Sequence, residues 1–167
     1  MKDMTKSNLE GALAGESQAH LRYLVYAAQA EREGLANVAR LFRAASYSEQ
    51  LHATAHLRSL EGNTKTLQNL ESAHAGETFE IHEMYPAYLG VAELQEEARA
   101  RRSMEHALAA EKVHAELYAR AKESVSSGGD MSLPKVWVCD VCGYTMEGEA
   151  PDRCPICGAL RSHYVEF

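Results

Sequence analysis

Long apolar runs are missing from this chain. No stretch approaches the roughly 20 consecutive apolar residues that cross a bilayer, and the first residues, Met1-Lys2-Asp3-Met4-Thr5-Lys6, lack the apolar segment of a secretion signal. A cytoplasmic protein with no membrane partner is therefore expected. Positive charge is also in deficit. Lys and Arg number 17 against 24 Asp and Glu, for a formal net charge of −7, which lacks the basic footprint that nucleic acid requires. Aromatic residues make up only 7%, with three Phe and one Trp, and proline occurs four times. Against abundant Ala, Leu and Glu, this scarcity favours helix over sheet for most of the length. Apolar residues still reach 46% of 167, enough for a real core. Cysteine is absent before residue 139, and all four cysteines then fall in two Cys-x-x-Cys pairs. Paired spacing in a cytoplasmic chain favours metal ligation over disulfides.

What the chain does have is a repeat. Asn8-Leu9-Glu10-Gly11-Ala12-Leu13-Ala14-Gly15-Glu16-Ser17 returns 61 residues later as Asn69-Leu70-Glu71-Ser72-Ala73-His74-Ala75-Gly76-Glu77-Thr78. Each copy then delivers a second shared phrase, Glu49-Gln50-Leu51-His52-Ala53 and Glu111-Lys112-Val113-His114-Ala115. Each half thus offers one carboxylate and one Glu-x-x-His pair, the set from which a four-helix bundle holds two metal ions in its core.

Apolar periodicity places these residues on helices. Ser7 followed by Glu10 has capping-box spacing, and Leu9, Leu13, Glu16, His20, Tyr23 and Ala27 share a stripe of a first helix ending near Gly34. A second runs from about Leu35 to Leu60, with Glu49, His52 and His56 on one stripe, and Gly62-Asn63 stops it. A third starts near Thr66 and carries Leu70, Ala73, Glu77, Glu80 and Met84 inward, Pro86 being placed to bend it. The fourth occupies roughly Glu97 to Ser124, with Met104, Glu111, His114, Tyr118 and Ala121 inward. Gly90 and Gln95-Glu96-Glu97 compete for the turn before it. Glu16, Glu49, Glu77, Glu80 and Glu111 stand where an inert bundle would carry Leu or Ile, and an uncompensated buried carboxylate is costly. A third pair, Glu71 and His74, is set aside: its counterpart, Glu10 and Leu13, lacks the His, and Glu71 lies off the Glu77 stripe. Tyr118 and His56 are read as packing or supporting groups.

The expected domains are a bundle at 1–125, a linker at 126–134 containing Ser126-Ser127-Gly128-Gly129-Asp130, and a four-cysteine domain at 135–167. Lys135-Val136-Trp137-Val138 and His163-Tyr164-Val165-Glu166-Phe167 are expected as short strands framing the cysteine loops. Cys139, Cys142, Cys154 and Cys157 make a tetrahedral thiolate site, with Gly143 and Gly158 giving tight turns after each pair. Spacing alone leaves zinc and iron open.

Ala14-Gly15-Glu16, Tyr47-Ser48-Glu49-Gln50-Leu51-His52-Ala53, Gly76-Glu77-Thr78-Phe79-Glu80 with Met84-Tyr85-Pro86, and Ala110-Glu111-Lys112-Val113-His114 resemble the rubrerythrin family over nearly the whole chain. Val138-Cys139-Asp140-Val141-Cys142-Gly143-Tyr144 and Cys154-Pro155-Ile156-Cys157-Gly158 resemble rubredoxin. The resemblance implies an all-α ferritin-like four-helix bundle followed by a small β-rich rubredoxin-like domain. It implies two irons in the bundle and one on the four cysteines, with zinc the alternative there. The implied activity is a non-haem peroxidase that reduces hydrogen peroxide to water in oxidative-stress defence. Electrons would come from a reduced-nicotinamide-dependent reductase or a rubredoxin, in a head-to-tail homodimer.

In that family pattern Glu16 and Glu77 are terminal ligands and Glu49 and Glu111 bridges. His114 stays on its iron, while Glu80, whose place in the first copy is taken by Ala19, exchanges with His52 on reduction. Tyr23 and Tyr85 support the terminal carboxylates. Two other functions stay open: a ferroxidase or iron-handling ferritin relative, and a metal-binding module with a zinc-ribbon tail.

Overall fold

The computed structural model describes residues 1–62 and 64–167; Asn63, half of the expected helix stop, lies outside them. The chain divides into two units, Met1–Thr64 and Lys65–Phe167.

The first unit is a helical hairpin of α1 (Asp3–Arg32) and α2 (Ala36–Glu61). The helix starts before the expected Ser7–Glu10 box. Lys2 stands at the cap, its carbonyl accepts the Lys6 N–H at 3.0 Å, and Asp3 puts an acidic side chain in the first turn. Favourable charge at the positive helix end and good helix formers on both sides of Ser7 carry the helix through the local capping signal. Glu33-Gly34-Leu35 turns the chain, with Gly34 at φ +77°, a left-handed conformation that suits glycine. The two helices close on small residues, Ala27, Ala30, Ala39 and Ser46, all buried. Ser46 ties them together: its hydroxyl donates to the His20 carbonyl at 2.9 Å, while Nδ1 of His20 lies 2.9 Å from the Ser46 carbonyl. Beyond this clasp Tyr23, Tyr26 and Phe42 form a cluster of rings, with centroids 5.5–6.3 Å apart.

In the second unit the expected third helix is interrupted. It runs as α3 (Thr66–Phe79), a π-helical turn (Glu80–Met84) and α4 (Tyr85–Leu94). Pro86 lacks an N–H, and in an α-helix its ring would press on the carbonyl four residues back. Instead of the simple bend expected, the ladder widens just ahead of Pro86: the Tyr85 N–H bonds the Glu80 carbonyl five residues back. Pro86 then sits in the first turn of α4, where its missing N–H costs nothing. Gly90 lies inside α4, and Gln95-Glu96-Glu97 makes the turn into α5 (Ala98–Ser126).

Glu96 is the one residue other than glycine with positive φ, at +58°, among those described. A side chain costs about 1 kcal/mol or more in that conformation. Glu96→Gly is therefore expected to stabilise the protein by about 0.5–1 kcal/mol, after allowing for glycine's extra freedom in the unfolded chain. That corresponds to a Tm about 2 °C higher by thermal unfolding.

After α5 the chain forms a three-stranded antiparallel sheet of order β2-β1-β3 from β1 (Val136–Cys139), β2 (Thr145–Glu147) and β3 (Tyr164–Glu166). The framing strands β1 and β3 fall where expected, with Cys139 opposite Tyr164; β2 was not foreseen. Cys139, Ala150, Cys154 and Tyr164 are the buried centre of this small domain, with Trp137, Tyr144 and Met146 packed around them.

Candidate metal centres

The first hairpin brings Glu16 of α1 against Glu49 and His52 of α2. Nδ1 of His52 lies 3.1 Å from Glu49 Oε2 and 3.8 Å from Glu16 Oε1. The second unit repeats the geometry with Glu77 of α3 and Glu111 and His114 of α5, where His114 Nδ1 lies 2.8 Å from Glu111 Oε2 and 3.9 Å from Glu77 Oε1. In each triad the ligand atoms lie within 4.8 Å of one another. A first-row ion with bonds of about 2.1 Å places adjacent ligands about 3 Å apart and opposed ones about 4 Å apart. Both triads therefore fit a metal ion, through two oxygens and one nitrogen each.

Electrostatics points the same way. Two carboxylates meet beside one imidazole in each triad. Glu16 and Glu49 share a hydrogen bond, which raises the carboxyl of Glu16 and lowers that of Glu49. Burial first, and then the charge of Glu111, pushes Glu77 up to about 7. A cation in place of the shared proton relieves both conflicts.

Glu80 stands on the π-helical turn, outside the compact second triad but near it: burial and the Glu111 charge raise its carboxyl. Tyr85, at the end of the same turn, is raised by burial and then by the charges of Glu111, Glu80 and Glu77. The ring of Tyr23 packs among Tyr26 and Phe42. His56 lies near enough to Glu16 to lower its carboxyl slightly, as a neighbour of the triad. Tyr118 lines an apolar cleft of about 320 Å³ with Leu70, Leu117, Ala121, Met131, Leu133 and Val136.

The cysteine site is built from two similar knuckles. The Gly143 N–H bonds the Cys139 carbonyl at 2.8 Å and the Gly158 N–H bonds the Cys154 carbonyl at 2.9 Å, with both glycines at positive φ, +77° and +76°. The turns bring Sγ of Cys139 within 3.7 Å of Cys157 and Sγ of Cys142 within 3.6 Å of Cys154. A tetrahedron with metal–sulfur bonds of about 2.3 Å has edges of about 3.8 Å; a disulfide needs about 2.05 Å. Burial opposes a thiolate at Cys154, but the Cys157 and Ile156 N–H groups and the Tyr164 hydroxyl outweigh it and hold that thiol down at about 6. Tyr164 is buried, and among the described residues its hydroxyl has no hydrogen-bond partner.

The sequence missed how this domain meets α5. Thr145 of β2 places Oγ1 2.8 Å from Nε2 of His114. Arg120 of α5 forms a two-pronged ion pair with Glu147, its second nitrogen lying 2.8 Å from Oε1. Thr145 and Glu147 are on the same face of a strand of three residues, too short to be read from alternation.

The chain matches the rubrerythrin family over residues 7–122 and the rubrerythrin rubredoxin-like domain over residues 137–165. Rubrerythrin-2 of Clostridium acetobutylicum is 40% identical to it over 178 aligned residues, spanning 98% of this chain and 97% of the relative. Nigerythrin of Nitratidesulfovibrio vulgaris is 34% identical, spanning 98% and 86%. Solved structures of nigerythrin in a mixed-valent and a fully reduced, all-ferrous state each superpose with a TM-score of 0.55 at 30% identity, covering 98% of this chain and 86% of that one. The long helices thus match a ferritin-like domain, each triad holds residues of the di-iron carboxylate type, and among the described residues no helix is long and apolar enough to cross a membrane. With duplicated Glu-x-x-His hairpins ahead of a four-thiolate domain, and matches along nearly its whole length, this chain belongs to the rubrerythrin family.

Proposed function

We propose that this protein is a peroxidase that reduces hydrogen peroxide to water, H2O2 + 2 H+ + 2 e− → 2 H2O, in defence against oxidative stress. The observation that carries it is the pair of matching Glu/Glu/His triads with an unmatched carboxylate, Glu80, beside the second. These residues would hold iron, which would supply the two electrons each peroxide needs. Glu16 and Glu77 would serve as terminal ligands, Glu49 and Glu111 as bridging ones, and His114 would keep its place. Glu80 and His52 are alternative ligands, since a carboxylate offsets ferric charge and a neutral imidazole suits the ferrous ion. Tyr85, and Tyr23 by its matching place in the first copy, support the carboxylates.

The four-cysteine site, loaded with iron, takes electrons one at a time from a reduced-nicotinamide-dependent reductase or a rubredoxin. The bundle at 1–125, the linker at 126–134 and the cysteine domain at 135–167 divide these tasks. The assembly is a head-to-tail homodimer; sedimentation as a monomer with full nicotinamide-linked turnover would exclude it.

The test is an anaerobic titration of the reduced protein with peroxide. One peroxide is expected to disappear for every two electrons withdrawn, without release of oxygen, and the red thiolate-iron colour should return within the mixing experiment. Oxidation no faster than that of free ferrous iron would sink the proposal. Oxygen-driven oxidation of added ferrous iron into a many-subunit shell would favour an iron-handling protein, and a colourless zinc protein would favour a binding module.

A further inference from the structure

Thr145 Oγ1 lies 2.8 Å from His114 Nε2 and 3.2 Å from the Gly143 carbonyl oxygen. A hydroxyl has one proton to give. Donated to Gly143, it leaves only lone pairs for His114, so Nε2 carries the imidazole proton and donates to Thr145. Nδ1 then presents its lone pair toward Glu77 and Glu111, where a metal would bind. Ligating histidines elsewhere are oriented in this way by a group accepting from their second nitrogen. Here that group belongs to the cysteine domain.

We propose that Thr145 is a positioning residue through which the cysteine domain sets the tautomer and ring orientation of His114 in its own chain, so that formation of the thiolate site readies a ligand of the helical site. The inference rests on Glu77, Glu111 and His114 being metal ligands, but not on the peroxidase reaction. The contact is built rather than incidental. Thr145 is only 5% exposed. It pairs with Val138 in the sheet, next to Cys139, and its neighbour Tyr144 accepts the Cys139 N–H at 2.9 Å. Arg120 and Glu147 pin the same strand to the same helix. A domain held together by its metal thus carries the oxygen that aligns His114.

The experiment is chelator competition for bundle iron in the full-length iron-loaded protein, with the thiolate-iron colour as an internal reference. Thr145→Val, of the same shape but unable to accept, is expected to weaken bundle iron binding by about 10–100-fold and leave the colour intact. Thr145→Ser is expected to restore it. Wild-type affinity in Thr145→Val would overturn the proposal. So would a Thr145→Ser protein as weak as Thr145→Val, which would show that a hydroxyl at this position is not what carries the effect. Cys154→Ser should weaken bundle iron binding comparably, and the double variant no further; additive losses would count against the link. Nitrogen NMR of the zinc-loaded full chain gives an answer without a substitution: a proton on Nε2 of His114 is expected, and a proton on Nδ1 overturns the assignment. None of these measurements uses peroxide, so failure of the peroxidase reaction would leave them standing.

Discussion

Cys154→Ser is expected to unfold the sheet of β1, β2 and β3 while α1 to α5 persist. The domain's buried centre is four residues, Cys139, Ala150, Cys154 and Tyr164, two of them metal ligands. Segments below about 40 residues rarely fold on such a core without a staple. Metal binding contributes about 10–16 kcal/mol to comparable thiolate domains at neutral pH, far more than so small a core supplies. Cys154 is, with Cys139, one of the two buried ligands. The N–H groups of Cys157 and Ile156 and the hydroxyl of Tyr164 favour its thiolate; serine neither reaches the metal well nor offers a thiolate. Loss of the sheet's dispersed amide signals, with helical circular dichroism retained, is the expected observation. A chelator strong enough to strip the site should give the same spectrum. A sheet that survives without metal would show that the apolar shell of Trp137, Tyr144 and Met146 is enough.

Glu80→Ala is expected to leave iron in the bundle and lower peroxide turnover by about 10–100-fold. The compact triads do not include Glu80, so each ion keeps two oxygens and a nitrogen when it is removed. What disappears is the anionic ligand that would stabilise the oxidised state. Re-reduction or turnover, rather than metal content, should therefore register the change. Iron analysis together with peroxide consumption under excess reductant separates the two effects. Unchanged turnover would refute the exchange role, and loss of iron would make Glu80 an ordinary structural ligand.

The helical part of the site was legible because it is written twice. Any single Glu-x-x-His pair is weak, but Glu49/His52 and Glu111/His114 come with matching Glu16 and Glu77 in the same helical phase, and both triads close as that phase requires. Cysteine spacing was equally direct, since Gly143 and Gly158 each follow a pair and each adopts the positive φ that a knuckle needs. The start of α1 was not legible, because Asp3 and Lys2 begin the helix without an overt cap. Nor was the turn into α5, where the left-handed position is held by Glu96, not by the glycine found at Gly34 in the first hairpin. The contact of Thr145 with His114 joins residues 31 apart in sequence, and a lone threonine carries no local signal of a partner that distant.

The π-helical turn has a consequence in the numbering of the two hairpins. Up to Glu16 and Glu77 they correspond at a spacing of 61; from Tyr23 and Tyr85 onward, through Gly34 and Glu96, Glu49 and Glu111, and His52 and His114, the spacing is 62. The frame shifts by one between Glu77 and Tyr85, the interval that contains the turn at Glu80–Met84. An extra residue in an ordinary helix would rotate everything beyond it by about 100°; taken up in a wide turn, it leaves both triads in phase. The asymmetry of the duplicated halves is thus one of length. No substitution in the second hairpin makes it match the first, and only the loss of one residue from that interval would.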